Sequence, residues 1–564
     1  MTTTTLAGTP GVRARARLLW RPRRPDLPTA LFAGSLALYL GLGIIFALWG
    51  HAVGGDAISR VEMADRVIFG RDPHLAAVGF VWSPIPVLGL LPFVVLAPLI
   101  PAMVTQALAA PLLSALFMAG AVYQMARLLG DLRLSRRLQV ILTLCFALQP
   151  MILEYAANGM SEAALLFFLM LVVRRLHAWM ATDRLSDLVG CGIYLGLAYL
   201  TRYESTAAFL AVVVVVTLTT VLRTAGGRRL RWGRALVDGV VVGLPFLIAF
   251  SVWALLSYMI TGQPFQQFSS AYGNSSQIAQ AGITTLGLGA DLSHALQTIG
   301  WSLLLAPGLI LATLLLALRV LRHHEWTALG APLVLWAVLA FMIVTDSLGA
   351  TQPHLRYDIS AIPLTLVMVA LFLSLGGVAL PARPPHWWRR APGFLGLLLL
   401  ASCLLALPSG WRTVLDPAAN DGDAYLIRAM LQPARTTVIE RELQHEWDLD
   451  QAVSARMDAL HLGPGRVLMD DFNGFVIYMD SSNQDQYVIT SDRDFTQYLS
   501  DPGAFGVAYI LIPDPTQGGG LDAINRTYPS LYRTGAGIAT LVRTFTAGPY
   551  QGASWRLYRV TPNS

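Results

Sequence analysis

The sequence predicts an α-helical polytopic membrane protein with about eleven transmembrane helices and a C-terminal extracytoplasmic α/β domain. Of the 564 residues, 55% are hydrophobic and only 13% are charged, whereas soluble domains carry about 25% charged residues. The apolar runs are long enough for the roughly 20 residues that a spanning helix needs. Beyond about residue 412, short β-like runs begin to alternate with helix-compatible stretches, a pattern typical of an α/β domain.

Arginines cluster at the ends of the apolar runs, where they orient helices in the bilayer, so the net charge of +6 does not indicate nucleic acid. The positive-inside rule places the basic tail at 1–27 in the cytoplasm. The transmembrane part, 28–411, then crosses a plasma membrane an odd number of times and leaves the domain at 412–564 outside. The predicted spans are 28–50, 102–129, 138–154, 160–176, 186–201, 205–222, 235–260, 296–320, 327–345, 359–379 and 393–410.

The apolar segment 83–101 is an exception, because it carries five prolines. Interior prolines remove backbone hydrogen bonds and clash with the preceding turn, so a straight helix is disfavoured. We place this segment along or partly within the outer leaflet. If both 83–101 and 102–129 crossed, the next arginine cluster would lie on the wrong side of the membrane, although the sequence leaves open whether 83–101 crosses.

The C-terminal part contains five short runs typical of strands. They are GRVLMD, QYVIT, VAYILIP, IATLVRTF and SWRLYRV. A helix is predicted before them, over VIERELQHEWDLDQAVSARMDALHL, and helix-compatible stretches lie between several of them. Alternating strands and helices predict a small α/β domain.

The first outer loop, 51–82, is rich in ionisable groups, and the predicted topology puts it on the same face as charges at the ends of other spans. A charge at a span end is costly unless it faces a cavity or a partner. An outer cavity with one carboxylate and several cations suits a reaction at a lipid-linked phosphate. The carboxylate takes a proton from an acceptor hydroxyl, and arginines hold the phosphate that leaves.

Short motifs stand at these positions: GGDA after the first span, WSPIPVLGLLP after the loop, GLAYLTRYE in mid-chain and HLRYDISAIP before a late span. They resemble motifs of the GT-C superfamily of membrane glycosyltransferases, which includes protein O-mannosyltransferases and lipid A aminoarabinose transferases. The resemblance implies that Asp56 is the catalytic base. It also implies that Arg356 and Tyr357 bind the donor phosphate, together with Arg202 and His354.

The resemblance covers roughly 28–410 and implies a glycosyltransferase that uses a polyprenyl-phosphate-linked sugar. The acceptor would be a cell-envelope polysaccharide, lipid or protein at the outer membrane face, and the acceptor hydroxyl would displace the lipid phosphate with inversion. Many family members carry two adjacent acids, whereas Ala57 follows Asp56 here. A second acid would have to be Glu62 or Asp65. No cofactor and no metal ligands are firmly implied, and a divalent metal is left open.

The catalytic candidates in the loop also have structural interpretations. Asp56 is a favoured N-cap residue for the helix that AISRVEMADRVIF suggests. Glu62 and Arg66 are spaced i, i+4, which indicates a surface ion pair before it indicates catalysis. His74 ends an Asp-Pro-His turn. Glu62 and His74 are therefore secondary candidates.

The candidates beyond the loop have structural interpretations as well. Glu204 is a nearby structural partner for Arg202, and a third secondary candidate. An interfacial anchor is the alternative interpretation of Arg356, but this arginine stands outside, against the bias of the others, which favours a ligand.

Two other function classes make different structural predictions. A transporter or lipid flippase would have paired inverted repeats and interrupted helices at the bilayer midplane, and the sequence suggests neither. A non-catalytic envelope-assembly scaffold would hold Asp56 and Arg356 far apart. A glycosyltransferase would bring them together at one cavity.

Overall fold

Long apolar helices dominate the structure, which is a computed structural model. It describes residues 26–280, 288–351, 354–376, 391–516, 518–546 and 554–561. The predicted cytoplasmic tail, 1–27, lies almost entirely outside these residues. Within them, eight helices are long and apolar enough to cross a membrane, or ten if each of two bent helix pairs forms one span. The chain is therefore a multi-pass membrane protein.

The helices of the apolar part are numbered in chain order. They are α1 (Leu27–Ile45), α2 (Gly55–Phe69), α3 (Pro84–Val94), α4 (Ala102–Thr105), α5 (Ala109–Asp131), α6 (Arg136–Ala147), α7 (Pro150–Ala157), α8 (Glu162–Thr182), α9 (Leu185–Tyr199), α10 (Ser205–Arg223), α11 (Arg228–Thr261), α12 (Gln266–Ser269), α13 (Asn274–Gln280), α14 (Leu288–Leu305), α15 (Leu309–His323), α16 (Gly330–Ser347), α17 (Ala361–Ser374) and α18 (Ala391–Val414). A π-helical turn, Phe46–Gly50, extends α1, and 3-10 turns at Trp326–Leu329 and Leu355–Asp358 precede α16 and α17.

Each predicted span has helical structure at its position, but the count of eleven is not confirmed. Helix α9 has only 15 residues. The pairs α6–α7 and α14–α15 are bent by 59° and 84°. The expectation of uninterrupted helices is therefore wrong at two places. A proline stands at each break, Pro150 and Pro307, and proline cannot continue the hydrogen-bond ladder of the preceding helix.

The proline-rich segment 83–101 forms α3 and then a series of turns. Helix α3 has 11 residues, so it rises about 16 Å, roughly half the hydrocarbon core. The segment contains no single helix long enough to cross. Prolines within it explain why this apolar run is not one span.

Close packing between spans depends on small residues, as is common in membranes. On α9, Gly192 and Gly196 face the proline-containing turn of α11. A Cβ atom on Gly192 would lie 2.4 Å from the carbonyl oxygen of Val242, and one on Gly196 would lie 3.1 Å from that of Pro245. Side chains at these two glycines would separate the helices.

Beyond the last span the chain forms helices and one mixed sheet. The helices are α19 (Pro417–Leu431), α20 (Val438–Gln444), α21 (Asp448–Asp458), α22 (Asp471–Asp480), α23 (Phe495–Ser500), α24 (Ala523–Thr527) and α25 (Leu531–Thr534). The strands are β1 (Val467–Leu468), β2 (Tyr487–Val488), β3 (Tyr509–Pro513), β4 (Ala539–Thr546) and β5 (Ser554–Val560), in the order β2-β1-β3-β5-β4. All five predicted strands are present, whereas the predicted helix before them is divided into α20 and α21.

The centre of the sheet is buried on both faces, because successive residues of its central strand β3 pack in different apolar clusters. Ile510 and Ile512 pack on one side, and Leu511 packs on the other. Strand β1 is parallel to β2 and β3, and β5 is antiparallel to β3 and β4. A strand with two buried faces has a continuous apolar sequence, and this explains why β3 could be recognised.

The C-terminal part that contains the sheet, called the sheet domain below, is bound to the segment 51–82 through ion pairs. Arg66 contacts both Glu62 and Asp471, and all three side chains are buried. The interpretation of Glu62 and Arg66 as a surface ion pair is therefore wrong. The i, i+4 pair forms, but Asp471 of α22 covers it. Further along, the exposed Arg493 contacts Asp72.

Replacing Arg66 with alanine is expected to weaken this interface strongly. Two buried carboxylates would lose their shared cation, which typically costs about 3–5 kcal/mol. The measurement is protease resistance of the sheet domain during heating of the purified protein. Arg493→Ala is the matched control and should change little, because its pair is exposed. Equal effects of the two substitutions would contradict this account of the interface.

Candidate active site

Asp56 lies in the first turn of α2, and its side chain does not cap that helix. The N-cap residue is Gly54, which makes no side-chain cap, so the capping interpretation is wrong. Instead, Asp56 accepts a hydrogen bond at Oδ2 from Arg356 Nη1 over 3.0 Å. A quarter of its side chain is exposed. The contact joins residues 300 positions apart in the sequence.

The turn before α8 holds the start of α2 in place. The Gly54 amide donates to the Asn158 carbonyl over 2.9 Å. Gly159 follows with φ +80°, and a Cβ there would lie 2.6 Å from the Cβ of Ala110 and 3.0 Å from that of Ala57. Only glycine allows this approach. The turn leads into Glu162, the first residue of α8, beside Asp56.

Two of the predicted residues, Arg202 and Arg356, converge on Glu162. Arg202 Nη1 lies 2.7 Å from its Oε1, and Arg356 Nε lies 3.9 Å from the same atom. The ring of Tyr357 contacts both guanidinium groups, at 5.8 Å from Arg202 and 5.3 Å from Arg356. His354 packs edge-on against Tyr357, with ring centroids 5.8 Å apart. The loop acid and the late-span cation thus share one site.

Arg60 is part of the same site, although it was not a sequence candidate. It lies one turn after Asp56, with Nη2 4.0 Å from Asp56 Oδ2. Its guanidinium stands 4.9 Å from the ring of Trp82. The spacing i, i+4 from the predicted base was the available signal. That signal is weak, because the same spacing occurs on any solvated helix.

The charges around Asp56 keep it ionised. Burial alone would raise the pKa of Asp56, but Arg356 and Arg60 outweigh burial and hold the pKa below its ordinary value. Burial, reinforced by Arg356, lowers the pKa of His354 to about 4. The site therefore presents a carboxylate and a neutral imidazole at neutral pH.

Several buried polar atoms at this site have no hydrogen-bond partner in the described part of the chain. They are Nε and Nη1 of Arg60, Nε of Arg356, Oε2 of Glu162 and Nδ2 of Asn158. Buried polar groups are almost always paired, and each exception calls for an explanation. Unpaired N–H donors on two adjacent arginines indicate a place for an anionic ligand.

A second pair of acids adjoins the site. Glu154 of α7 is buried and accepts from Asn420 Nδ2 over 3.0 Å. The carboxyl group of Asp423 on α19 lies close enough to interact with it. Burial raises the pKa of Asp423 to about 6, against the opposing charge of Arg356. This pair can hold one proton between its two carboxyl groups.

A cavity of about 690 Å³ opens from Asp56 toward the sheet domain. Two of the secondary candidates, Glu62 and His74, line it, as does Arg66. Glu62 is paired with Arg66, and His74 Nδ1 lies 2.6 Å from the carbonyl oxygen of Asp72. Neither contacts Asp56, so neither belongs to the cluster around it.

Glu204, the third secondary candidate, pairs with Arg202. Together with Glu162 it neutralises that guanidinium, which favours a structural role. Among the described residues no group of three or more His, Cys, Asp or Glu is arranged to hold an ion. Asp56, Glu162 and Glu204 each lie against arginine, and a cation would have to displace it.

Comparison with solved structures identifies the fold. ArnT from Cupriavidus metallidurans bound to undecaprenyl phosphate superposes with a TM-score of 0.52 at 15% identity, over 94% of this chain and 97% of that one. ArnT is an aminoarabinose transferase of the GT-C superfamily. The chain has a GT-C fold. No protein-family model matches the sequence, and no curated protein matches it significantly.

Two further structures superpose more loosely. The apo state of the same ArnT has a TM-score of 0.45 at 15% identity, over 97% of this chain and 98% of that one. The oligosaccharyltransferase AglB from Archaeoglobus fulgidus, in complex with an inhibitory peptide and a dolichol-phosphate, has a TM-score of 0.39 at 11% identity. It covers 86% of this chain and 69% of that one. The fold assignment depends on the first superposition alone.

Proposed function

We propose that this GT-C protein is a glycosyltransferase that moves a sugar from a polyprenyl-phosphate donor to a cell-envelope acceptor. The observation that carries the proposal is the 3.0 Å contact between Asp56 and Arg356. It unites a proposed base and a proposed phosphate ligand from opposite ends of the membrane part. The scaffold alternative would hold these two residues far apart.

In the proposed reaction Asp56 takes the proton of an acceptor hydroxyl. The hydroxyl oxygen forms a bond to the anomeric carbon while the bond from that carbon to the phosphate oxygen breaks, so the configuration inverts. The electron pair leaves with polyprenyl phosphate, whose charge Arg356 and Arg202 neutralise. The proton remains on Asp56, which is ionised before the step.

The unpaired guanidinium atoms support an anionic donor at this place. Arg356 binds Asp56, so a donor phosphate would share or take over Arg356 and free the carboxylate for its role as base. Tyr357 would hold the two arginines at their separation, and the neutral His354 would serve as a hydrogen-bonding neighbour. The ArnT structure that shares the fold was determined with undecaprenyl phosphate, which agrees in kind with the proposed donor.

The proposed location is the outer face of the plasma membrane. The arginine-rich ends of the predicted spans would be cytoplasmic, as would the N-terminus. The domain at 412–564 would lie outside, where the cavity beside Asp56 faces it. The acceptor would be a polysaccharide, lipid or protein of the envelope, and the donor's isoprenoid tail would lie among the spans.

A lipid transporter or flippase is a second candidate, because the pairs α6–α7 and α14–α15 are bent. Interrupted spans in transporters coordinate substrates at the bilayer midplane. Here, the arginine cluster gathers instead around the start of α2 and the start of α8. A catalytic site is favoured for that reason. The two candidates predict different outcomes for the donor lipid: a transferase releases polyprenyl monophosphate, whereas a flippase moves the donor across the bilayer intact.

The proposal is tested by identifying the lipid that the purified protein carries. Mass spectrometry of extracted lipid is expected to find polyprenyl phosphate, or binding of it when it is added to lipid-depleted protein. Complete absence of both would contradict the proposal. Arg493→Ala changes an exposed residue away from the arginine cluster. It is the control and should retain the lipid.

The pH dependence of transfer should respond to Arg60. Because Arg60 helps to hold the pKa of Asp56 down against burial, Arg60→Gln removes a stabilising charge from the carboxylate. The pKa of Asp56 then rises, and the base becomes protonated at a higher pH. The acid limb of kcat/KM, which reports free-enzyme groups, is expected to move to higher pH. Arg493→Gln should leave the acid limb where it is. An acid limb that does not move in Arg60→Gln would mean that Asp56 is not the group that sets it.

A further inference from the structure

The cavity beside Asp56 is elongated along one face of α2. Asp56, Ser59, Glu62 and Arg66 all line it, and their spacing of three to four residues puts them on one side of the helix. Ten residues of helix correspond to about 15 Å. The cavity therefore leads from the proposed base to the ion pairs that fasten the sheet domain.

The charged side chains along the cavity wall are already paired within the protein. Arg66 is held by Glu62 and Asp471. Asp492 binds Arg71, with 2.8 Å between Oδ2 and Nη2. Arg493 pairs with Asp72 at the exposed rim. An ionic ligand would have to break these pairs, so the lining favours an uncharged one.

The remaining wall combines aromatic rings with neutral hydrogen-bonding groups. Phe80, Trp82, Tyr272, Phe472 and Phe475 contribute rings, and Tyr272 and Phe472 lie with centroids 5.0 Å apart. Hydroxyl and amide groups come from Ser59, Thr261, Gln266, Gln277, Thr490 and Ser491. A sugar ring matches such a wall, because it offers C–H faces to aromatic rings and hydroxyls to amides.

The same wall is poorly suited to the other acceptor classes. None of its described residues lies in a strand, so it offers no sheet edge to an extended peptide. An acyl chain would offer no hydrogen bonds to the wall's hydroxyl and amide groups, such as those of Ser59, Gln266, Thr490 and Ser491. The volume of about 690 Å³ lies within the range of sites for single small ligands, about 300–1,000 Å³. It therefore suits the last few sugar rings of a glycan.

We propose that this cavity binds the neutral carbohydrate end of the acceptor, with the reacting hydroxyl at Asp56 and further rings along α2 toward Arg66. The proposal rests on the proposed function, because it makes the cavity the acceptor site of that reaction. It selects carbohydrate among the envelope acceptors. The sugar end belongs either to a free glycan or to the headgroup of a glycolipid.

The test uses the full-length protein in nanodiscs and three kinds of probe. The probes are a printed array of neutral oligosaccharides, vesicles that carry a neutral glycolipid, and serine- and threonine-rich peptides. Ser59→Trp fills the middle of the cavity, and Phe472→Ala removes one ring. Phe69→Trp places the same side chain on the same helix at an exposed position outside the cavity and is the matched control.

Wild type and Phe69→Trp are expected to bind a subset of the oligosaccharides or the glycolipid. Binding should fall about tenfold or more in Ser59→Trp and in Phe472→Ala, a change equivalent to 1.4 kcal/mol. Binding to the oligosaccharide array would indicate a free glycan, and binding to the glycolipid vesicles would indicate a lipid-linked one. Binding of peptides in place of glycans, or glycan binding that Ser59→Trp leaves intact, would overturn the proposal.

Polyprenyl phosphate retention is measured on the same preparations. Retention with no specific glycan binding would overturn the acceptor proposal and leave the proposed donor in place. Glycan binding in a protein that never binds polyprenyl phosphate would contradict the proposed function and retain the cavity as a carbohydrate site. The two failures are thus distinguishable.

Discussion

Asp56→Asn is expected to lower the rate of sugar transfer by about 10²–10⁴-fold, the contribution of a positioned general base. The amide has the size of the carboxylate and can still contact Arg356, but it cannot accept the proton of the acceptor hydroxyl. Binding of polyprenyl phosphate should persist, since a negative charge beside the phosphate is removed. The measurement is transfer by reconstituted protein at equal amounts of bound donor.

Asp65→Asn is the matched control, because Asp65 is an aspartate on the same helix and is buried. It accepts a hydrogen bond from Gln484 over 2.6 Å and does not contact Arg356. We expect near-wild-type transfer from it. Near-wild-type transfer by Asp56→Asn would remove Asp56 as the base.

Arg356→Gln is expected to weaken binding of polyprenyl phosphate by about 10–100-fold, the range for one hydrogen bond to a charged group. The substitution also leaves Asp56 and Glu162 with one cation fewer, so the site becomes more repulsive to an anion. Arg356→Lys should retain part of the affinity, because an ammonium keeps the charge but lacks the planar fork. Affinity is measured by titrating polyprenyl phosphate into lipid-depleted protein.

Arg174→Gln is the control for loss of one arginine. Arg174 lies on α8, the helix that Glu162 begins, but twelve residues away, or about 18 Å along the axis. It binds Asp131 there, with 2.8 Å between Nε and Oδ2. Unchanged affinity in Arg174→Gln is expected. An equal loss in both variants would mean that Arg356 acts through general stability and does not bind phosphate.

The membrane fold could be predicted because its signals are local. A run of apolar residues defines a span, and an arginine cluster at its end limits the topology. The sheet strands were equally visible, because Leu511 and its neighbours are buried on both faces and form continuous apolar runs. The bends before Pro150 and after Leu305 were not predicted, because a proline in an apolar run is tolerated in some spans and breaks others.

The site was predictable only in part. Asp56 and Arg356 came from short motifs, and their contact agrees with the expectation that they share a cavity. Arg60 and Glu162 were missed as members of the site, because nothing local distinguishes them from residues that orient or solvate a helix end. The same limit explains Glu62, whose burial depends on Asp471, a residue more than four hundred positions later. Spacing predicts which side chains are neighbours on one helix, but not what covers them.

The fate of the donor lipid tests the central claim most directly. Reconstituted wild-type protein is supplied with polyprenyl-phosphate-linked sugars from host membranes, and mass spectrometry follows the lipid on both sides of the bilayer. The account predicts one molecule of polyprenyl monophosphate released for each sugar transferred, with release lost in Asp56→Asn. A donor that crosses the bilayer intact, with no monophosphate formed, would contradict the account and identify a flippase.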